Sequence, residues 1–225
     1  MANIAGPYGL RPYQLIGSQF NNNSAVREYV MTTNSALAIN AGDPIVLSGG
    51  QPATITNTGG AITYTVGTTH GLVGVCTGVR YYDPTFKYMV HSNYLPANAI
   101  TNGYTQVYIK VYEDPDGLFL IQGNAQISTT LATALASINK CASLTYPAAV
   151  PTNGQSGITL TTSSIATTNT LVLKIVDFYW NPITSTSYQA PNNTLSGNLA
   201  ATDLYPDIIV KWNFGAHAFY DATGV

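Results

Sequence analysis

The stretch Tyr104–Gln122, YTQVYIKVYEDPDGLFLIQ, decides the fold class. In its first half Val107, Ile109 and Val111 occupy every second position, with Tyr and Lys between them. This is the period of a β-strand with one buried and one solvated face. The intervening residues, Tyr112 included, are therefore predicted to face solvent.

The middle of this stretch, Glu113–Gly117 (EDPDG), is a turn signal. Pro115 presets φ, the Asp side chains can bond nearby backbone, and Gly117 accepts a positive φ. Leu118–Gln122 then resumes an extended apolar run. The whole unit is therefore predicted to be a β-hairpin in the core.

The composition predicts a folded protein with an unusual surface. Of the 225 residues 45% are hydrophobic, sixteen are Tyr and only 8% are charged, against roughly 25% charged in an average soluble protein. Disorder requires low hydrophobicity and high net charge, so this chain is expected to fold. A surface of amides, hydroxyls and tyrosines is typical of a protein that packs against neighbours. The tyrosines are equally compatible with ordinary strand positions.

Charge and cysteine content argue against several functions. The net charge is −2 and the eight basic residues are scattered singly from Arg11 to Lys211, so direct nucleic-acid binding is disfavoured. Cys76 and Cys141 belong to no CxxC motif, and they are predicted to be buried free thiols, with a disulfide as the minor alternative. The N-terminus lacks a signal-peptide pattern and no apolar run approaches about 18 residues, so we expect synthesis in a cytoplasm and no membrane partner.

Several further segments are predicted to be strands from their apolar alternation and flanking turn residues. These are Val26–Met31, Ile45–Leu47, Ile62–Val66, Leu72–Tyr82, Thr85–His91, Ile158–Thr161, Thr170–Trp180 and Asp207–Tyr220. Gly74 and Gly78 lie inside one of them and indicate a bulge or a close backbone approach.

One helix is predicted, over Thr129–Asn139 with Ser128 as its cap. Leu131, Leu135 and Ile138 fall on one side of it, and such a stripe most often packs on a sheet. About eight to ten short strands with one helix indicate a mainly β protein, an antiparallel β-sandwich or barrel.

Residues 1–24 carry apolar groups without a strand or helix period, so they need another surface to cover them. We predict an extended N-terminal arm that docks on a partner subunit; the alternative is that this segment lies across its own domain. Residues 25–225 would form the β-rich body, with long loops at about 48–70 and 181–204. The candidate partner-binding residues of the arm are Tyr8, Leu10, Arg11, Pro12, Tyr13 and Leu15.

No residue pattern predicts catalysis. The acids of the turn, Glu113, Asp114 and Asp116, lack further ligands at the spacing of a Ca²⁺ loop and are explained by turn chemistry. Residues 154–157 (GQSG) have Ile158 where a nucleophile elbow needs its last glycine. The three His residues stand singly in the sequence. We therefore expect no enzyme, no cofactor and no metal.

Seven stretches carry a resemblance through their order and spacing. They are GLRPYQLIG (9–17), VREYV (26–30), GDPIVL (42–47), GVCTGVRY (74–81), EDPDGLFLIQ (113–122), GQSGITL (154–160) and HAFYDATGV (217–225). Together they resemble a family of structural proteins of tailed bacteriophages, the head decoration or cement proteins. The resemblance runs, interrupted, from residue 9 to the C-terminus. One departure is Tyr94–Pro96, YLP, where the family has Tyr-Trp-Pro.

The resemblance implies a non-enzymatic virion protein that binds the outer surface of an icosahedral head and stabilises the capsid. The implied partners are the major capsid protein and further copies of the chain, often as a homotrimer. Two alternatives from the residues stay open. One is a carbohydrate-binding β-sandwich displayed on the virion, using Tyr81, Tyr82 and the loop at 181–204, and the other is a tail or neck ring component.

Overall fold

The computed structural model of the protein describes residues 5–15, 26–48, 51–54, 61–62, 72–147, 152–179, 204–213 and 217. The described chain is mainly β, with antiparallel sheets, a curled half-barrel and one short helix, which confirms the predicted fold class. Its strands are β1 Arg11–Leu15, β2 Val26–Met31, β3 Ile39–Asn40, β4 Pro44–Ser48, β5 Gln51–Thr54, β6 Ala61–Ile62, β7 Leu72–Asp83, β8 Tyr88–Ser92, β9 Tyr94–Leu95, β10 Thr105–Tyr112, β11 Gly117–Gln122, β12 Cys141–Thr145, β13 Thr159–Ala166, β14 Leu173–Phe178 and β15 Asp207–Trp212, and its helix is α1 Leu131–Leu135.

One sheet has seven strands in the order β1-β11-β15-β14-β12-β13, with β6 beside β12. Its inner face supplies most of the larger core cluster, including the fully buried Phe119, Ile175 and Trp212. Val75 of β7 and Tyr112 of β10 belong to the same cluster. This core therefore joins the seven-stranded sheet to the second sheet.

The second sheet has six strands in the order β2-β10-β7-β4-β5, with β8 beside β7. This sheet is curled, as shown by its outer strands β2 and β5, whose Cα atoms come within 8 Å of each other. A second apolar cluster, with Val79, Val107 and Ile109 among its members, fills this curled sheet. Ile39 and Leu95 of the small β3–β9 pair belong to that cluster as well.

The strands of the central stretch are confirmed as β10 and β11, but the predicted hairpin is wrong. β10 pairs with β2 and β7, whereas β11 pairs with β1 and β15. Because both edges of each strand are occupied by other partners, β10 and β11 do not pair with each other. The turn, closed by a 3.1 Å bond from Gly117 N to Asp114 O, carries the chain from one sheet to the other. Tyr112 is 1% exposed and not solvated as predicted, and its ring meets Phe119 edge-on at 5.7 Å.

The helix is shorter than predicted, and its cap and its buried side differ. It spans Leu131–Leu135 with Thr130 at the N-cap and no side-chain cap bond, so Ser128 does not cap it. It ends early because the amides of Ser137 and Ile138 bond carbonyls three residues back. Leu135 is 38% exposed, and Ala134 is buried. Ile138 packs against the core as predicted.

The other predicted strands are present where the structure describes them, with shifted ends. Thr85–His91 appears as Tyr88–Ser92, because the Asp83 carboxylate accepts hydrogen bonds from the amides of Thr85 and Phe86 and forms a turn. Residues 63–66, 180, 214–216 and 218–220 of the predicted strands lie outside the described residues, as do most of the loops at 48–70 and 181–204.

The predictions for the two glycines of β7 and for the two cysteines of the chain are confirmed. A Cβ on Gly74 would lie 2.0 Å from the carbonyl oxygen of Tyr112, which is a close backbone approach. At Gly78 the register against β10 shifts by one residue, which places a bulge at Thr77. Cys76 and Cys141 are free and buried.

Candidate partner-binding surface

The N-terminal segment, residues 5–15, lies across its own body. β1 pairs antiparallel with β11, from Arg11 opposite Leu120 to Leu15 opposite Gly117. Leu10 is 1% exposed and belongs to the larger core cluster. Of the two arrangements expected for this segment, the structure has the one on its own domain for residues 5–15. Residues 16–24 lie outside the described residues.

Two glycines let the segment approach the body closely. Gly9 has φ +70°, and a Cβ on it would lie 2.4 Å from Cβ of Ser156. Gly42 has φ +95°, and a Cβ there would lie 2.7 Å from the carbonyl oxygen of Tyr8. The Leu10 amide donates a 2.9 Å hydrogen bond to the Gly42 carbonyl. Larger residues are disfavoured at both positions because the backbone conformation and the space each favour glycine.

The Asp43 carboxylate is buried beneath the contact between the segment and the body. The Asn40 amide donates to Oδ2 of Asp43 at 2.8 Å, and the Ser156 hydroxyl also bonds this carboxylate. Burial raises the pKa of Asp43 to about 6. Ser156 is fully buried, so the GQSG stretch presents no accessible nucleophile. This network connects the turn before β4 to the loop at 152–158, directly beneath the segment.

The segment is also bonded to the seven-stranded sheet. The Tyr8 hydroxyl donates to Oδ1 of Asp207 at 2.7 Å, and burial together with this carboxylate raises the pKa of Tyr8. The Arg11 guanidinium lies over the Tyr8 ring, 4.3 Å from its centroid. The Gly6 amide donates to Oε1 of Gln122 at 2.9 Å. These bonds reach β15 and β11, so the segment is held along its described length.

The outward side of the segment presents part of the predicted binding set. Arg11 is exposed, and Tyr13 is 41% exposed with its ring edge-on to Tyr179 at 5.9 Å. Leu10, in contrast, is inside the core and out of reach of a partner. Among the described residues β1 pairs only with β11, so its other edge presents unpaired backbone groups. Tyr8 and Pro12 are half-buried, and the side chain of Leu15 lies outside the described residues.

A hollow of about 300 Å³ lies beside the segment, and no pattern in the sequence predicts it. Its lining includes Tyr8, Arg11, Thr77, Asn93 and Gln155. Gln155 donates from Nε2 to the Pro7 carbonyl at 3.2 Å. The available signal was the pair of small-residue turns at 41–44 and 154–157, but a turn does not show which segment it faces.

The acids of the central turn separate into different interactions. Glu113 accepts a hydrogen bond from the Tyr29 hydroxyl and lies 3.9 Å from the Arg27 guanidinium. Asp116 pairs with Lys211 at 3.5 Å. Within the described part of the chain no group of three or more His, Cys, Asp and Glu side chains is placed to hold a metal ion.

The structure also bears on two other expectations. Tyr81, named for the carbohydrate alternative, is only 7% exposed, and Tyr82 is half-buried. The loop at 181–204 that this alternative also used lies outside the described residues, apart from Leu204.

No helix in the described ranges has the length and apolarity to span a bilayer.

Comparisons with known proteins identify no relative. No protein-family model, curated protein or solved structure matches the chain. The functional argument therefore rests on the residues and geometry described above.

Proposed function

We propose that this chain is a structural protein of a bacteriophage virion, a decoration protein that binds the outer surface of an icosahedral head and stabilises it. The observation that carries the proposal is the position of β1 at the edge of the sheet, with exposed side chains of interface type. Among the described strands β1 is the outermost of the seven-stranded sheet, and it presents the exposed side chains of Arg11 and Tyr13 while Leu10 beside it is held in the core. The sequence resemblance and the low charge content support the same conclusion.

The pairing of β1 with β11 suits a binding role, because it holds Arg11 and Tyr13 in place before a partner binds. Ordering a flexible arm on binding would cost conformational entropy, which a preorganised strand avoids. Arg and Tyr are the residue types that most often dominate interface energies. Among the described strands β1 has no partner on the edge away from β11, so a strand from a partner protein could pair there through backbone hydrogen bonds.

Stabilisation of a head would follow from mass action. A protein that binds the assembled shell but not the free capsid subunits stabilises the shell by RT ln(1 + [L]/Kd) for each site. Many weak sites on one particle act together, so a modest affinity for each copy suffices. The mechanism needs no catalytic group.

The test is cosedimentation of the purified protein with expanded heads that lack it. Wild-type protein is expected to bind saturably, and the double variant Arg11→Gln/Tyr13→Ser is expected to bind at least about tenfold more weakly, because each side chain is an interface anchor of the common type. The matched control is Tyr88→Ser, since Tyr88 is 55% exposed and lies on the other sheet. Point substitutions are required, because deleting the segment would also remove Leu10 from the core. Equal binding by the double variant and the control would contradict the proposed surface.

A further inference from the structure

A gap interrupts the outward face of the six-stranded sheet at Gly78. In register, Lys110 of β10 stands between Glu28 of β2 and Gly78 of β7. Because Gly78 has no side chain, a hollow of about 310 Å³ opens beside Lys110. Its lining consists of Thr77, Gly78, Val79, His91, Ser92, Asn93 and Lys110.

Packing does not require a glycine at this position. A Cβ on Gly78 would meet only the Ser92 carbonyl oxygen at 3.4 Å and Oδ1 of Asn93 at 3.8 Å, which are ordinary contacts. Gly74 in the same strand differs, since a Cβ there would lie 2.0 Å from the Tyr112 carbonyl oxygen. A glycine inside a strand weakens it and often marks a place where a ligand or another backbone approaches. Gly78 adjoins the bulge at Thr77 but has neither a positive φ nor a close contact that would require the missing side chain, so the hollow it leaves is a candidate binding site.

The side chains around the hollow are suited to an anion. Lys110 supplies an ammonium group with three donors, His91 an imidazole and Asn93 an amide. No acidic residue lines the hollow. In the described ranges Lys110 has no carboxylate within 4.0 Å, and its neighbour Glu28 is held by Arg80 at 2.8 Å. The charge of Lys110 is thus available to a ligand.

The hollow continues towards the N-terminal segment. Thr77 and Asn93 also line the hollow beside β1, where Arg11 stands. The two hollows, about 310 and 300 Å³, therefore adjoin each other, and Lys110 lines the first while Arg11 lines the second. Each volume lies at the lower bound of typical ligand pockets. Two adjoining hollows, each with a cation in its lining, match an extended acidic chain better than a compact ligand.

We propose that the hollow at Gly78 binds the carboxylate of an Asp or Glu on an extended segment of a partner protein. Lys110 donates the charge-assisted hydrogen bond, and Asn93 and His91 donate to the remaining oxygen lone pairs. The segment extends from this hollow into the adjoining one, which Arg11 lines. The chain would then have a second contact surface next to β1, which binds a carboxylate.

The test is a titration of the ¹⁵N-labelled full chain, followed by amide chemical shifts. The probes are the capped peptides acetyl-Thr-Asp-Thr-amide and acetyl-Thr-Asn-Thr-amide, with glucuronate as an acidic sugar. The Asp peptide is expected to produce saturable shifts at the amides of Gly78, Ser92 and Asn93. The Asn peptide is expected to bind at least about tenfold more weakly, since a charge-assisted bond is roughly twice as strong as a neutral one. Glucuronate has the carboxylate but not the extended backbone, so it is also expected to bind more weakly than the Asp peptide.

Variants locate the site. Lys110→Gln removes the charge, and Gly78→Val fills the hollow with a residue that favours strands; each is expected to weaken the Asp peptide about tenfold. Lys87→Gln, an exposed lysine on the turn before β8, is the matched control and should bind as the wild type. Preserved dispersion of the amide shifts shows that a variant is folded. If Gly78→Val does not fold, the binding of the Asp peptide to Lys110→Gln alone tests the site.

The proposal would be overturned by the absence of localised shifts, by equal binding of the Asp and Asn peptides, or by unchanged binding of the Asp peptide to Lys110→Gln. Tighter binding of glucuronate than of the Asp peptide would overturn it in favour of an acidic sugar. The titration uses no phage heads, so its failure is distinguishable from a failure of the proposed decoration function.

Discussion

Replacing Leu10 by Ala tests whether the N-terminal segment is part of the folded body. The Leu10 side chain is 1% exposed and lies in the larger core cluster. The substitution removes about three buried carbon groups at about 0.8 kcal/mol each, and the cavity left behind raises the expected loss of unfolding free energy to about 3–4 kcal/mol. An arm that is peripheral to the body would show almost no loss.

The assay is equilibrium urea unfolding of wild type, Leu10→Ala and Leu135→Ala. Leu135 is the matched control because its side chain is 38% exposed on α1, so its truncation is expected to cost less than about 1 kcal/mol. A lower midpoint with an unchanged slope would assign the loss to native stability. Equal midpoints for the two variants would refute the placement of the segment in the core.

Three further predictions concern the body itself. Gly74→Ala should cost more than about 2 kcal/mol in urea unfolding, because its Cβ would collide with the Tyr112 carbonyl, whereas Gly78→Ala should be neutral or stabilising by up to about 1 kcal/mol; equal costs would contradict the geometry. Burial raises the pKa of Asp43 from 3.8 to about 6, so its contribution to stability is fully present below pH 3.8 and is lost as pH rises through 6. The stability of Asp43→Asn relative to wild type should therefore rise by about 3 kcal/mol over that window, and a flat difference would exclude this role. Burial raises the pKa of the Cys76 thiol to about 12, so mass spectrometry should find it unmodified by iodoacetamide near neutral pH in the folded protein and modified after denaturation.

The strands could be predicted from sequence because their signal is local. In β10 the alternation of Val107, Ile109 and Val111 reflects one buried face, whatever strands lie beside it. The pairing could not be predicted, because the partners β2, β7, β1 and β15 come from distant parts of the chain. The same limit explains Tyr112. Its position in the pattern indicates solvent, but the larger core cluster, to which the seven-stranded sheet contributes most residues, covers it.

The N-terminal segment shows the same limit for the candidate site. Residue type indicated Arg11 and Tyr13 as anchors, and both are exposed. The burial of Leu10 depends on the meeting of Gly9, Gly42 and Ser156, which lie in three separate segments. The hollow at Gly78 likewise depends on strand register, since only the pairing of β7 with β10 brings Lys110 beside it. No local pattern contains this information.

The most direct test of the proposed function is the copy number of this chain in purified particles of the virus that encodes it, measured by quantitative mass spectrometry against the major capsid protein. A decoration protein is predicted to be present in many copies, at a simple ratio to the capsid subunit that reflects the symmetry of the shell. Only a few copies per particle would contradict decoration and would favour the tail or neck ring alternative.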